Sequence, residues 1–168
     1  YHGRLYLNPH QLFRYPSTIW RVAQDLIDVL PPGVTDTITV VAGPATGGAL
    51  LAHTIAGLLD GRRPLTRVPY SFAPLHHGPD GAEALSPFYT RVVQGAKVLL
   101  VDDVRNTGQT FRHCADLIAA AGGAVVCAPG GNMLGSTDAA PVAPAPDTDH
   151  AKVTALARAF YPLTLPLT

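Results

Sequence analysis

The chain has 168 residues, 47% of them hydrophobic and 14% charged, with twelve Lys and Arg balancing twelve Asp and Glu. A chain of this size can bury one substantial core and reads as a single domain over 1–168. Zero net charge excludes the basic footprint of a nucleic-acid binder, and no apolar stretch approaches the roughly 20 residues that span a bilayer, so neither a nucleic acid nor a membrane is expected as partner.

The chain starts at Tyr1 rather than at a methionine, so a few preceding residues are expected to be missing. His2-Gly3-Arg4-Leu5-Tyr6-Leu7-Asn8 suits a brief edge strand. Ser17 reads as the cap of a helix in which Trp20, Ala23, Ile27 and Leu30 recur at helical spacing, and Pro31-Pro32-Gly33 stops it. That stripe is expected to be core. Thr37 to Ala42 is β-branched and strand-like, and Gly43-Pro44-Ala45-Thr46-Gly47-Gly48 interrupts it before an apolar helix from Ala49 to Leu59. Thr66 to Tyr70 reads as a short strand, moved to a sheet edge by Pro69.

Ser71 to Arg91 lacks periodicity and reads as a long loop, carrying His76, His77, Gly78, Pro79, Asp80, Gly81 and Glu83. A loop of that length in a compact domain, about 71–91, reads as a functional lid or a disordered segment. The aliphatic run Val98-Leu99-Leu100-Val101 reads as a buried parallel strand, Phe111 to Ala121 as a helix stopped by Gly122-Gly123, and Ala124 to Ala128 as a last strand. The Ala-, Pro- and Gly-rich stretch about 129–148 is expected to be irregular, with one more helix in the tail. Alternating strands and helices predict an α/β fold, a mostly parallel twisted sheet flanked by helices. Cys114 and Cys127 form no CxxC pair and read as small buried hydrophobes of a reducing compartment. No signal peptide is legible, and the expectation is a cytoplasmic protein.

Two strand ends carry the chemistry. After Val101 come Asp102 and Asp103, then Arg105, Asn106, Thr107, Gly108, Gln109 and Thr110, a polar loop that runs into a helix. Backbone N–H groups can converge there because glycine lets the chain bend closely, hydroxyls add donors, and a helix start favours an anion. Such a loop suits phosphate. The two carboxylates have no use in an anion site, so they face sugar hydroxyls, a divalent cation or a positive charge that develops during reaction. Gly47 and Gly48 likewise admit close backbone approach, making Gly43 to Gly48 a second anion cradle.

Strand, acidic pair, polar loop and helix together resemble the phosphoribosyl-diphosphate signature of the type I phosphoribosyltransferases, and Val41 to Ala49 resembles the pyrophosphate loop of the orotate members. The resemblance implies that Asp102 and Asp103 bind the ribose hydroxyls, that Arg105, Asn106, Thr107, Gly108, Gln109 and Thr110 hold the 5-phosphate, and that Ala45, Thr46 and Gly47 hold pyrophosphate. It also implies a glycosyltransferase (pentosyltransferase), a small hood built from the two chain termini, and Mg²⁺ carried by substrate oxygens with no protein metal site. Function would then be transfer of a phosphoribosyl group from phosphoribosyl diphosphate to a nitrogenous base, most simply orotate, in nucleotide metabolism such as pyrimidine biosynthesis. The small-molecule substrates are the expected partners, together with a second copy of the chain in a homodimer.

The chain departs from the pattern in places. Arg105 stands where an aliphatic residue is common, and Asn106 where a small hydroxyl residue is. Val68 to Thr90 contains no Lys or Arg, whereas the orotate family has a lysine in its mobile loop. His77, whose His77-Gly78 step matches that loop, is the catalytic candidate there, with Arg67, Arg91 and Lys97 as suppliers of charge from outside it. The family's base-reading Asp-Arg step is absent near Pro129-Gly130-Gly131-Asn132, so the base is not readable. The missing lysine favours an alternative, a non-catalytic regulator that binds phosphoribosyl diphosphate.

Overall fold

The computed structural model describes residues 9–64, 67–79, 81–103 and 108–126. The hood segments, Thr66, Arg105, Asn106, Thr107, Cys127 and the stretch 129–148 lie outside the described residues. A 3₁₀ turn over Pro9–Arg14 leads into α1 (Pro16–Asp28), α2 (Val34–Thr37), β1 (Val40–Pro44), α3 (Gly47–Gly61), β2 (Ser71–His77), β3 (Glu83–Ala84), α4 (Pro87–Val93), β4 (Lys97–Leu100), α5 (Gln109–Ala120) and β5 (Ala124–Val126).

The strands form one sheet in the order β3-β2-β1-β4-β5. β1 runs parallel to β2 and β4, β5 runs parallel to β4, and β3 alone is antiparallel, at the edge beside β2. The α/β architecture expected from the sequence is therefore present. Strand pleat sorts the aliphatic residues between two cores. Val41, Leu99 and Val101 face α1 and α3, joining Ile19, Leu26, Leu51 and Ile55. Val40, Ala42, Val98 and Leu100 face α4 and α5, joining Val93, Phe111, Cys114 and Ile118. A sheet covered on both faces explains why these strands read as continuous aliphatic runs rather than alternating ones.

Several local expectations are corrected. α1 starts at Pro16 with Tyr15 as N-cap, not at Ser17. Its buried residues are Ile19, Val22, Ala23, Leu26 and Ile27. Ala23 and Ile27 are core as expected, Leu30 is only partly buried, and Trp20 is 53% exposed. The true stripe at i, i+3, i+4, i+7 and i+8 begins one residue earlier, at Ile19. Thr37 ends α2, and the first strand begins at Val40.

No strand forms over Arg67–Tyr70, because that segment is held by side chains instead. Asp60 Oδ1 accepts from Tyr70 N–H at 2.6 Å, and the Tyr70 hydroxyl donates to Thr35 O. Arg63 stacks 3.4 Å from the Tyr70 ring centroid and donates to Val68 O and Thr35 O. Burial raises the Tyr70 phenol above its ordinary range, against the lowering effect of Arg63.

The strand lies later, as β2, inside the stretch that reads as an unbroken loop. β2 is legible only in tertiary context. Ser71 N–H donates to Thr39 O, so by alternation Pro74 turns its missing donor toward the side on which β3 reaches only His76 and His77. Phe72 fixes β2 between two helices, its ring edge-on to His53 at 5.2 Å and to Tyr89 at 6.4 Å. α4 follows, with Pro87 in its first turn and the Ser86 hydroxyl accepting from Tyr89 N–H, a start signal inside the same stretch. Among the described residues no helix is long and apolar enough to cross a membrane.

Candidate functional site

β1 and β4 are neighbours in the sheet, yet the chain leaves them toward opposite faces. β1 turns into α3, which packs on one face, and the loop after β4 leads to α5 on the other. A crevice opens between two such connections at the carboxyl ends of the strands, which is where open α/β sheets bind ligands. Both sequence-predicted cradles lie at this point.

They touch each other. A Cβ on Gly47 would run into the carboxylate of Asp103. On Gly48 it would stand 2.7 Å from Pro44 Cδ and 3.0 Å from Asp102 Oδ1, and on Gly43 it would meet Gly48 O and lie 2.8 Å from Val101 O. Three residues without side chains thus let the loop after β1 lie directly on the end of β4. The loop is tied down by Ala45 N–H donating to Leu75 O at 2.6 Å and by Leu50 N–H donating to Thr46 O, and its Ala45–Thr46 peptide is cis.

Asp102 is buried, at 8% exposure, and its Oδ1 accepts from Asp103 N–H at 2.9 Å. Val101 N–H donates to Ala42 O at 2.9 Å, extending the ladder up to the acidic pair. On the far side Gly108, at φ 75°, is the N-cap of α5, followed by Gln109 and Thr110 in the first turn. The first N–H groups of a helix have no intrahelical acceptors, so this turn offers donors at the crevice. Ala45, Thr46, Gly47, Asp102, Asp103, Gly108, Gln109 and Thr110 therefore share one edge of the sheet. The arrangement combines two donor-rich turns with two fixed carboxylates.

His77 is in a strand, not a loop. It is exposed and pairs with Glu83 of β3. Since Pro44 aligns with Leu75, His77 stands two residues past the end of β1, on the same edge as the crevice. The other expected cations lie elsewhere. Lys97 opens β4 and Arg67 precedes β2, which places both at the amino edge, and Arg91 lies in the last turn of α4 before the chain returns to that edge. Arg112, one turn after Gly108 and bonded to it through its backbone N–H at 3.0 Å, is a basic residue near the crevice that sequence reasoning passed over. Its signal was its place in the first turn of a helix that starts at an anion cradle. Also passed over were Gly47 and Gly48 as seats for the acidic pair and Gly43 as the seat of Gly48 on the end of β4.

Cys114 lies beneath the site, fully buried, and its thiol is pushed up to about 12 by burial, with Glu83 and Asp102 adding to the effect. It is a neutral packing group, as the sequence suggests.

Residues 21–128, well over half of the chain, match the family model of the phosphoribosyl transferase domain. The chain belongs to the phosphoribosyltransferase family. It is 28% identical over 127 residues to the orotate phosphoribosyltransferase of Acidithiobacillus ferrooxidans, covering 76% of this chain and 60% of that protein. It is 34% identical over 113 residues to the transcriptional regulator GfcR of Archaeoglobus fulgidus, covering 67% and 56%. The chain thus spans about 60% of the length of the curated relatives it matches. Among solved structures, adenine phosphoribosyltransferase from Thermoanaerobacter pseudethanolicus superposes with a TM-score of 0.50 at 19% identity, covering 68% of each chain. That likeness shows a shared phosphoribosyltransferase fold.

Proposed function

We propose that this member of the family transfers the 5-phosphoribosyl group of phosphoribosyl diphosphate to a ring nitrogen of a base, releasing pyrophosphate. The observation that carries this reading is the seating of Gly47 and Gly48 on Asp103 and Asp102, which joins the two cradles into one site. Asp102 and Asp103 hold the ribose hydroxyls. Gly108, Gln109 and Thr110, with Arg105, Asn106 and Thr107, hold the 5-phosphate, while Ala45, Thr46 and Gly47 hold the diphosphate. As pyrophosphate departs, positive charge spreads over the anomeric carbon and ring oxygen. Carboxylates fixed next to the sugar and backbone donors aimed at the leaving group both favour that charge distribution. His77, two residues past the β1 register on β2, is the proposed partner of the leaving group.

Mg²⁺ fits this donor set in one way. Among the described residues no group of three His, Cys, Asp or Glu converges as a metal cage, and Mg²⁺ characteristically uses one or two carboxylates plus substrate phosphates. The diphosphate and ribose oxygens would carry the ion, with Asp102 and Asp103 beside it at the ribose hydroxyls, and it would neutralise charge on the diphosphate. Orotate is the acceptor that the curated relatives favour, which would place the reaction in pyrimidine biosynthesis. A cytoplasmic homodimer completes the reading, with a second subunit supplying the cation that Val68 to Thr90 lacks.

Incubation with phosphoribosyl diphosphate, Mg²⁺ and orotate, uracil, adenine, guanine or hypoxanthine should release pyrophosphate with one base. Asp103→Ala should remove most of that turnover while the circular dichroism spectrum is kept, and an unchanged rate would defeat the assignment. A second reading is favoured by the absence of Lys and Arg from 68–90 and by the 34% identity to a transcriptional regulator. It makes the chain a sensor of phosphoribosyl diphosphate. Tight binding with no release from any base selects it.

A further inference from the structure

The hairpin of β2 and β3 carries an acceptor that its own ladder does not use. Gly78 N–H donates to Ala82 O at 2.7 Å, and His76 and His77 stand opposite Ala84 and Glu83. Antiparallel pairing alternates, so Ala82 and Ala84 turn their backbone groups toward β2 while Glu83 turns its own away. A carbonyl on a sheet edge needs a partner from elsewhere. It finds one in α5, where His113 Nε2 lies 3.3 Å from Glu83 O. Since a carbonyl only accepts, Nε2 carries the hydrogen. His113 is half-buried and sits one turn beyond Gln109 and Thr110. The pleat puts His77 on the face of Leu75, which packs in the core with Phe111 and Cys114 of α5, and Glu83 shares that face as the residue opposite. The Glu83 carboxylate is close enough to help push the Cys114 thiol up.

We propose that His113 is a positioning residue for the transfer reaction: it fastens the β2–β3 hairpin, and with it His77, to the helix whose first turn receives the 5-phosphate. The inference rests on the function proposed above. β1 supports β2 only as far as Leu75, and β3 is the two residues Glu83–Ala84, so the hairpin from His76 to Ala84 projects beyond the parallel sheet. A ribbon of two short strands is marginal by itself, and one hydrogen bond from a helix then decides how far its end strays. α5 suits the purpose because its own start is an anion cradle. The sugar fixes the distance between the 5-phosphate and the leaving diphosphate, and His113 refers His77 to the same helix. In this reading His113 touches neither the substrate nor the reacting atoms and acts through Glu83 and His77.

Amide hydrogen exchange and steady-state kinetics of the whole chain test this. In His113→Ala, exchange in residues 76–78 and 82–84 should speed up by about fivefold, the effect of one lost hydrogen bond, with α5 and β1 unchanged. The turnover number kcat should fall by about the same factor while KM for phosphoribosyl diphosphate stays within about twofold. His113→Gln, which keeps an N–H donor at similar reach, should restore both readings. In a His77→Ala background, His113→Ala should lower kcat no further, because the brace acts only through His77. Should His113→Ala lose the fold, His113→Met repeats the test with the bulk kept and the donor removed. Unchanged hairpin exchange, unchanged kcat, or the full additional loss in the His77→Ala background overturns the inference and leaves the proposed function standing. A wild type that turns over no base overturns that function and the positioning role together.

Discussion

Gly48 shows how little room the site leaves. A methyl group there would press on Pro44 Cδ at 2.7 Å and on Asp102 Oδ1 at 3.0 Å, and the proline ring cannot yield as a flexible side chain would. Gly48→Ala should therefore shift the acidic pair and lower turnover of phosphoribosyl diphosphate by about a hundredfold, the cost typical of misplacement by about 1 Å. Gly57, in the same helix, has nothing within 4 Å of its Cβ position. Gly57→Ala should stabilise α3 by about 0.5–1 kcal/mol in urea unfolding, with turnover unchanged.

Cys114 makes a prediction of a different kind. Its pKa rises from 9.0 in the ordinary thiol to about 12 in the fold. The unfolded chain loses this proton first as pH rises, so the contribution to stability is intact below pH 9 and is lost progressively toward pH 12. Tyr70, raised from 10.0, acts in the same direction. Unfolding midpoints measured from pH 8 upward should fall less steeply for Cys114→Ala than for the wild type. Iodoacetamide at neutral pH should leave Cys114 unmodified until urea unfolds the chain.

At the scale of elements, α1 separates what sequence can place from what it cannot. Leu26 is 6% exposed and Trp20 is 53% exposed, the reverse of a stripe drawn through Trp20. Leu26→Ala should cost about 2–5 kcal/mol, whereas Trp20→Ser should stay within about 0.5 kcal/mol, both read from urea midpoints. Trp20 misleads because a large aromatic ring scores as core, while one position of phase decides which face meets the sheet. β2 fails for another reason. Its support comes from β1, His53 and Tyr89, partners distant in the chain, and Pro74 disguises it locally. β1, β4, α3 and α5 were legible because burial on both faces leaves unbroken aliphatic runs punctuated by glycine. Those same strand ends form the candidate site, so the gathering of Asp102, Asp103, Gly47 and Gly108 at strand ends could be read from sequence alone. The contact between Gly47 and Asp103 could not, because it spans more than fifty residues of chain.

At the scale of the molecule, the sheet order converts two separate motifs into one crevice. β1 at the centre sends its connection to one face and β4 beside it sends its connection to the other, so the motifs meet only because the direction of winding changes between them. The amino edge, where Arg63 clamps Tyr70 and Thr35, is expected to serve the fold and not the site. Backbone amide hydrogen exchange, measured with and without phosphoribosyl diphosphate and Mg²⁺, tests this division most directly. Protection should rise together in residues 45–50, 101–103 and 108–112 and stay unchanged in residues 67–71 and 94–97. Protection confined to one of the two loops, or appearing at the amino edge, would contradict a single site built from both strand ends.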